Sequence, residues 1–162
     1  MIGPKAVILV CGLLSALSPA VMASNSAIVT VKVTVIAPPP CTINDDRPIE
    51  VDFGDVMTTR VDGKNYRLPV NYTLSCTDSS SNAMKLQVEG VGASFDGTVL
   101  RTNKIGLGIA LQRGDGKQSI NSWMNFTYPN KPELWAIPVK QSGTTLAGGE
   151  FSSGATMKVA YQ

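Results

Sequence analysis

From Ile28 to Ile36 the chain changes face at every step. Val29, Val31, Val33 and Val35 fall on one side of an extended backbone, with Ala27 preceding them on it, while Thr30, Lys32 and Thr34 fall on the other. Period-two patterning of β-branched residues predicts a strand with one buried face. The segment is free of Gly and Pro and nearly uncharged, so left exposed it is an aggregation-prone edge. It is either buried in its own fold or made for another molecule.

The same period runs through the rest of the chain. Ile49, Val51 and Phe53 alternate up to Gly54. Tyr66, Leu68, Val70, Tyr72, Leu74 and Cys76 form the longest alternation, with Pro69 on the polar side marking a strand start or an edge. Leu86 and Val88 lead to Gly90, and Ile105, Leu107, Ile109 and Leu111 lead to Gly114-Asp115-Gly116. Stretches 123–128 and 134–139 flank the turn Pro129-Asn130-Lys131-Pro132. In the final stretch Ala155, Met157, Val159 and Tyr161 share a face opposite Thr156, Lys158 and Ala160. No window holds apolar residues at helical spacing for three turns. Short alternating runs separated by Gly, Pro, Asn, Asp and Ser, as at Asp78–Asn82, predict an antiparallel β-sandwich.

The first residues read differently. Lys5 opens a short basic start, Ala6–Leu17 is an almost unbroken apolar run, and Val21-Met22-Ala23 supplies the small residues of a signal-peptidase site. A membrane anchor needs roughly 20 apolar residues, and Pro19 interrupts the run here. A signal peptide over 1–23 is therefore expected, which leaves 139 of the 162 residues, enough for one domain and too few for two. The net charge of +2 falls to +1 without Lys5, and no basic cluster points to nucleic acid. With Cys11 in the leader, Cys41 and Cys76 remain, and an even pair in an exported chain reads as one disulfide rather than two free thiols.

The chain has no histidine. That removes the commonest general base, the usual metal ligand and any Ser-His or Cys-His nucleophile pair. Asp45-Asp46 reads as a solvated turn, and Glu50 with Asp52 as the polar side of the Ile49–Phe53 run. No enzymatic activity, cofactor, metal or small-molecule substrate is expected. Arg113-Gly114-Asp115 spells an integrin-binding tripeptide, but a Gly-Asp-Gly turn between alternating runs is what a hairpin requires. Asp52-Phe53-Gly54 matches a kinase string with no nucleotide loop before it. The sequons at Asn71 and Asn125 fall inside predicted strands and are discounted.

The order of the segments carries a resemblance. An alternating strand precedes the first cysteine and another ends at the penultimate residue. "PPCTIN" at Pro39–Asn44 followed by "VDFG" at Val51–Gly54 resembles the start of a P-pilus tip adaptor, and "LSC" at Leu74–Cys76 the second half of a pilin disulfide. "LGIAL" at Leu107–Leu111 resembles a core strand of minor pilins, and "LAGGEF" with "ATMKVAYQ" the C-terminal signature, with Gly149 fourteen residues from the end and Tyr161 penultimate. The chain thus resembles the fimbrial (pilin) subunits of the chaperone–usher pathway, in particular the minor tip and adaptor pilins of P-type and type 1 pili.

The resemblance implies an incomplete immunoglobulin-like β-sandwich over 41–162, lacking its last strand, behind an N-terminal donor-strand extension and Pro spacer over 24–40. It implies that a periplasmic chaperone fills the groove first, pairing with the C-terminal edge that Gly149, Ala155, Met157, Val159 and Tyr161 mark. At an outer-membrane usher a neighbouring pilin subunit then replaces it, with a tip adhesin as one candidate neighbour. Ala27, Val29, Val31, Val33 and Val35 are the residues implied to enter the neighbour's groove. The implied destination is a fimbrium on the cell surface, reached through the periplasm. One position departs from the pattern: Val33 stands where many extensions carry glycine, so either the receiving groove is deeper there or the register is shifted.

Two other readings compete. A self-contained secreted immunoglobulin-like domain uses Ile28–Ile36 as its own first strand. A receptor-binding adhesin carries an additional domain, for which this chain has no room.

Overall fold

The alternating runs at 86–88, 107–111 and 155–161 become strands, with a face turned to the core or the groove beside it. The computed structural model describes residues 39–162. Its strands are β1 (Cys41–Ile43), β2 (Leu68–Pro69), β3 (Leu74–Cys76), β4 (Ala83–Gly90), β5 (Gly92–Ala93), β6 (Asp96–Arg101), β7 (Leu107–Arg113), β8 (Gly116–Gln118), β9 (Met124–Thr127), β10 (Leu134–Lys140) and β11 (Ala155–Tyr161). One sheet runs β2-β10-β7-β6-β5, with β8 also on β7; the other runs β11-β4-β9, and β1 pairs with β3. Every described ladder between strands is antiparallel.

The two sheets meet at one core. From β4 and β9 come Met84, Leu86, Val88, Met124 and Phe126; from the other sheet come Leu100, Ile109, Leu111, Leu134 and Ala136. Met84 and Leu86 are completely buried, each worth about 1.5–3 kcal/mol relative to exposure. Tyr72 lies in this core, and its hydroxyl donates a short hydrogen bond to the carbonyl of Pro132. Burial pushes the Tyr72 phenol up to about 12. A disulfide joins Cys41 to Cys76, directly opposite each other in the β1–β3 ladder.

Several expected elements take another form. The Tyr66–Cys76 alternation is broken into β2 and β3 with irregular chain between. Tyr66 has φ +61 and Pro69 lacks an N–H, so one continuous ladder cannot form. Ile105 lies outside β7 and is 92% exposed, because Gly106 at φ +75 turns the chain before the strand begins. Ile49, Val51 and Phe53 are half-buried between exposed Glu50 and Asp52, yet they join no ladder among the described residues. The hairpin at Gly114-Asp115 is as expected: Arg113 opposes Gly116, with Gly114 at φ +58. Asn71 lies in irregular chain between β2 and β3 rather than in a strand, whereas Asn125 lies in β9. The signal-peptide and Ile28–Ile36 segments lie outside the described residues.

Candidate functional site

β11 pairs through its whole length with β4, from Ala155 opposite Gly90 to Tyr161 opposite Met84. Its other edge has no ladder partner among the described residues. Beside that edge the core opens into a groove of about 800 Å³. Ala155, Met157 and Phe151 line one flank and Ile49, Val51 and Phe53 contribute to the lining as well, while Ile109, Leu111, Leu134 and Ala136 reach it from the β7–β10 sheet. Most of these side chains belong to the main core or pack against it, so the groove floor is a stretch of hydrophobic core, with Arg47, Glu50 and Ser153 among the polar residues that also line it.

A second cavity of about 590 Å³ shares Val51, Phe53 and Phe151 with the first. Leu146, Leu107 and Val61 form a small apolar cluster there. The rings of Phe53 and Phe151 stand 6.0 Å apart, centroid to centroid, so one aromatic pair belongs to both cavities.

The residues expected at the C-terminal edge separate into three groups. Ala155 and Met157 line the groove. Val159 and Tyr161 pack against the main core without lining it. Tyr161 also holds the serine-rich loop: its hydroxyl lies 3.2 Å from Ser79 Oγ and accepts from the Ser80 N–H at 3.2 Å. Gly149 stands six residues before β11 and lines the second cavity instead. At φ +103, with a Cβ there meeting Lys104 Nζ at 2.9 Å, the position suits glycine. Gln162 continues the ladder, its N–H donating to the Ala83 carbonyl at 3.1 Å and its side-chain amide to the carbonyl of Met84 at 2.9 Å.

Phe151 is the site residue that alternation missed. It sits in the irregular 141–154 segment, where no period exists to read. The expected donor residues Ala27, Val29, Val31, Val33 and Val35 lie outside the described residues. Among the described residues no cluster of His, Cys, Asp and Glu could hold a metal ion.

An all-β sandwich with its core open along the C-terminal strand defines the class: an immunoglobulin-like pilin fold. The chain belongs to the fimbrial protein family, whose model matches residues 29–162. It is 41% identical over 160 residues to the fimbrial-like protein YfcR of Escherichia coli strain K12, covering 96% of this chain and 91% of that one. The solved P pilus adaptor subunit PapF superposes with a TM-score of 0.58 at 28% identity, over 78% of this chain and 98% of PapF. The P pilus rod subunit PapA shares the fold, with a TM-score of 0.65 at 22% identity over 76% of this chain and 99% of PapA. The protein is a chaperone–usher fimbrial subunit whose sandwich is open beside the β11 edge.

Proposed function

We propose that this subunit polymerises by donor-strand exchange as a minor or adaptor component of a pilus. The observation that carries the reading is the apolar groove beside the β11 edge, which has no ladder partner among the described residues. The Ile49–Phe53 segment contributes side chains to the same groove and likewise joins no described ladder. An extended strand laid there finds main-chain partners, and its alternate side chains reach the core.

After removal of 1–23, Ser24–Ala37 is the strand this subunit gives to a neighbour, with Ala27, Val29, Val31, Val33 and Val35 facing inward. Four buried valines at about 1.5 kcal/mol or more each, added to a ladder of backbone bonds, give a joint that dissociates very slowly. Pro38-Pro39-Pro40 keeps the strand from folding back into its own groove. A periplasmic chaperone occupies the groove during export, and the usher presents it to the next subunit. Each subunit thereby carries a plug and a socket, a heterologous contact that extends into a fibre. The adaptor assignment rests on likeness to PapF.

The test is a thermal melt of the oxidised domain lacking residues 24–37, alone and with donor-strand peptides from pilin subunits, its own Ser24–Ala37 included. A poorly stable domain that gains a large, slowly reversible rise in Tm from one peptide supports the reading. A domain that melts cooperatively at high temperature and ignores every peptide is already complete, and the reading fails.

A further inference from the structure

A strand added to β11 leaves the sandwich at one particular end, and that end carries exposed apolar surface. All described ladders between strands are antiparallel. A donor strand that continues the pattern runs opposite to β11, so its C-terminal end emerges where β11 starts. There Ala155 opposes Gly90, and Ser153 Oγ donates to the Arg101 carbonyl at 2.7 Å. The Arg101 N–H donates to the Val91 carbonyl at 2.8 Å, which brings the 90–92 and 101–106 turns to the same end. Ile105 at 92% and Val91 at 57% are among the most exposed large hydrophobic residues described.

The donor's body cannot be far away. Five residues, Ile36–Pro40, separate Val35 from Cys41, a reach of at most about 20 Å when fully extended. The disulfide and the β1–β3 ladder then fix the chain to its own domain. The chain leaves that domain beside the serine-rich loop, since the Thr77 N–H donates to the Pro40 carbonyl at 3.1 Å. Exposed Asp78 follows directly. At the receiving end Arg101 and Lys140 are exposed and in no ion pair among the described residues. The carboxylates nearest in sequence to those turns, Glu89 and Asp96, are paired with Lys158 and Lys117.

We infer that the end of the sandwich formed by Val91, Arg101 and Ile105 is a docking surface for the body of the strand-donating fimbrial subunit, which meets it with the end carrying Pro40 and Asp78. This rests on the donor-strand reading above and adds to it a second contact, outside the groove. Strand insertion sets the lifetime of the joint. The end-to-end contact sets how one subunit is angled on the next, and charge complementarity assists the approach.

The experiment immobilises the oxidised chain from Ser24 onward and offers it two probes: the peptide Ser24–Ala37 and a second copy of the same chain. Ile105→Asp and Arg101→Glu in the immobilised chain are exposed changes that leave folding intact. Both are expected to speed release of the second copy about tenfold, the scale on which interface substitutions change off-rates, with peptide release unchanged. Asp78→Lys in the second copy is expected to restore binding to the Arg101→Glu chain. Equal effects on both probes, or none on either, overturn the inference while leaving strand addition standing. If the unsubstituted chain holds neither probe, it does not accept its own donor strand and the inference falls, while strand addition from other subunits is decided by the peptide melts.

Discussion

Phe53 and Phe151 face each other with ring centroids 6.0 Å apart and planes tilted by 32°. One comes from an irregular segment near the start of the domain and the other from the approach to β11, and both line both cavities. Their contact ties the two flanks of the groove together before any strand fills it. Phe151→Ala is expected to lower stability by about 1–3 kcal/mol, less than a fully buried Phe→Ala because the ring is half-exposed. Release of a bound Ser24–Ala37 peptide should also quicken. Urea unfolding and peptide dissociation measure the two effects, and an unchanged urea midpoint would refute the structural role.

The Cys41–Cys76 disulfide spans a sequence separation of 35 and sits at directly opposed positions of the β1–β3 ladder. Chain-entropy arithmetic gives such a loop roughly 3–4 kcal/mol. Replacing both cysteines by serine should therefore lower the unfolding free energy by about that amount. Comparing the wild-type protein with and without reductant should give the same difference. A loss under about 1 kcal/mol would mean that the β1–β3 ladder holds the loop unaided.

Alternation made the body strands legible. Leu86 with Val88, Leu107 through Leu111, and Ala155 through Tyr161 all lie in strands whose inward faces the period named. The short strands β1, β5, β6 and β8 were not legible, because two or three residues hold too little period and Asp96–Arg101 mixes polar and glycine positions. Ile105 fitted the alternation but lies beyond the turn at Gly106, a backbone event that side-chain pattern does not record. Ile49, Val51 and Phe53 kept the period of a strand without gaining a described ladder, since patterning reports which face is buried and not what pairs with the edge. Half of the candidate site was thus readable: β11 and the Ile49–Phe53 run, but not Phe151. The resemblance, by contrast, rested on strings in a fixed order, and the fimbrial family match spans that same order.

Tyr72 should make the protein alkali-sensitive. Burial raises its phenol to about 12 against an ordinary value of 10, with Arg113 opposing the shift. The folded state therefore holds this proton where the unfolded chain has released it. The stabilisation is complete below pH 10 and is lost as pH rises through about 12. Urea midpoints measured between pH 9 and pH 11.5 should fall for the wild type, and Tyr72→Phe should flatten much of that fall. The variant also loses the bond to the Pro132 carbonyl and so starts from a lower midpoint at neutral pH.

Tyr161 joins two functions in one side chain, packing against the core and fastening the Ser79–Ser80 loop through its hydroxyl. Tyr161→Phe removes only the second and should cost about 0.5–1.5 kcal/mol. Tyr161→Ala removes both, and in cells it is expected to deplete the subunit from the periplasm as its exposed core invites proteolysis. Immunoblots of periplasmic extracts separate the two variants; normal levels of the alanine form would show that the end of β11 is not where the chaperone docks.

Val31 and Val33 test donation apart from reception. Both lie on the face expected to enter a neighbour's groove, and the groove described beside β11 is lined by other residues. Replacing both with Asp places two carboxylates against apolar core, where a charge without a partner costs several kcal/mol. The double variant should still be captured by the chaperone, because on the proposed reading capture uses β11 and the groove, yet it should fail to enter the next subunit. Chaperone co-purification should match the wild type while sheared fimbriae lack the subunit. Val33→Gly distinguishes the two accounts of this position. If the neighbour's groove is deep there, the glycine shortens the joint's lifetime; if the register is shifted so that Val33 points elsewhere, the lifetime changes little.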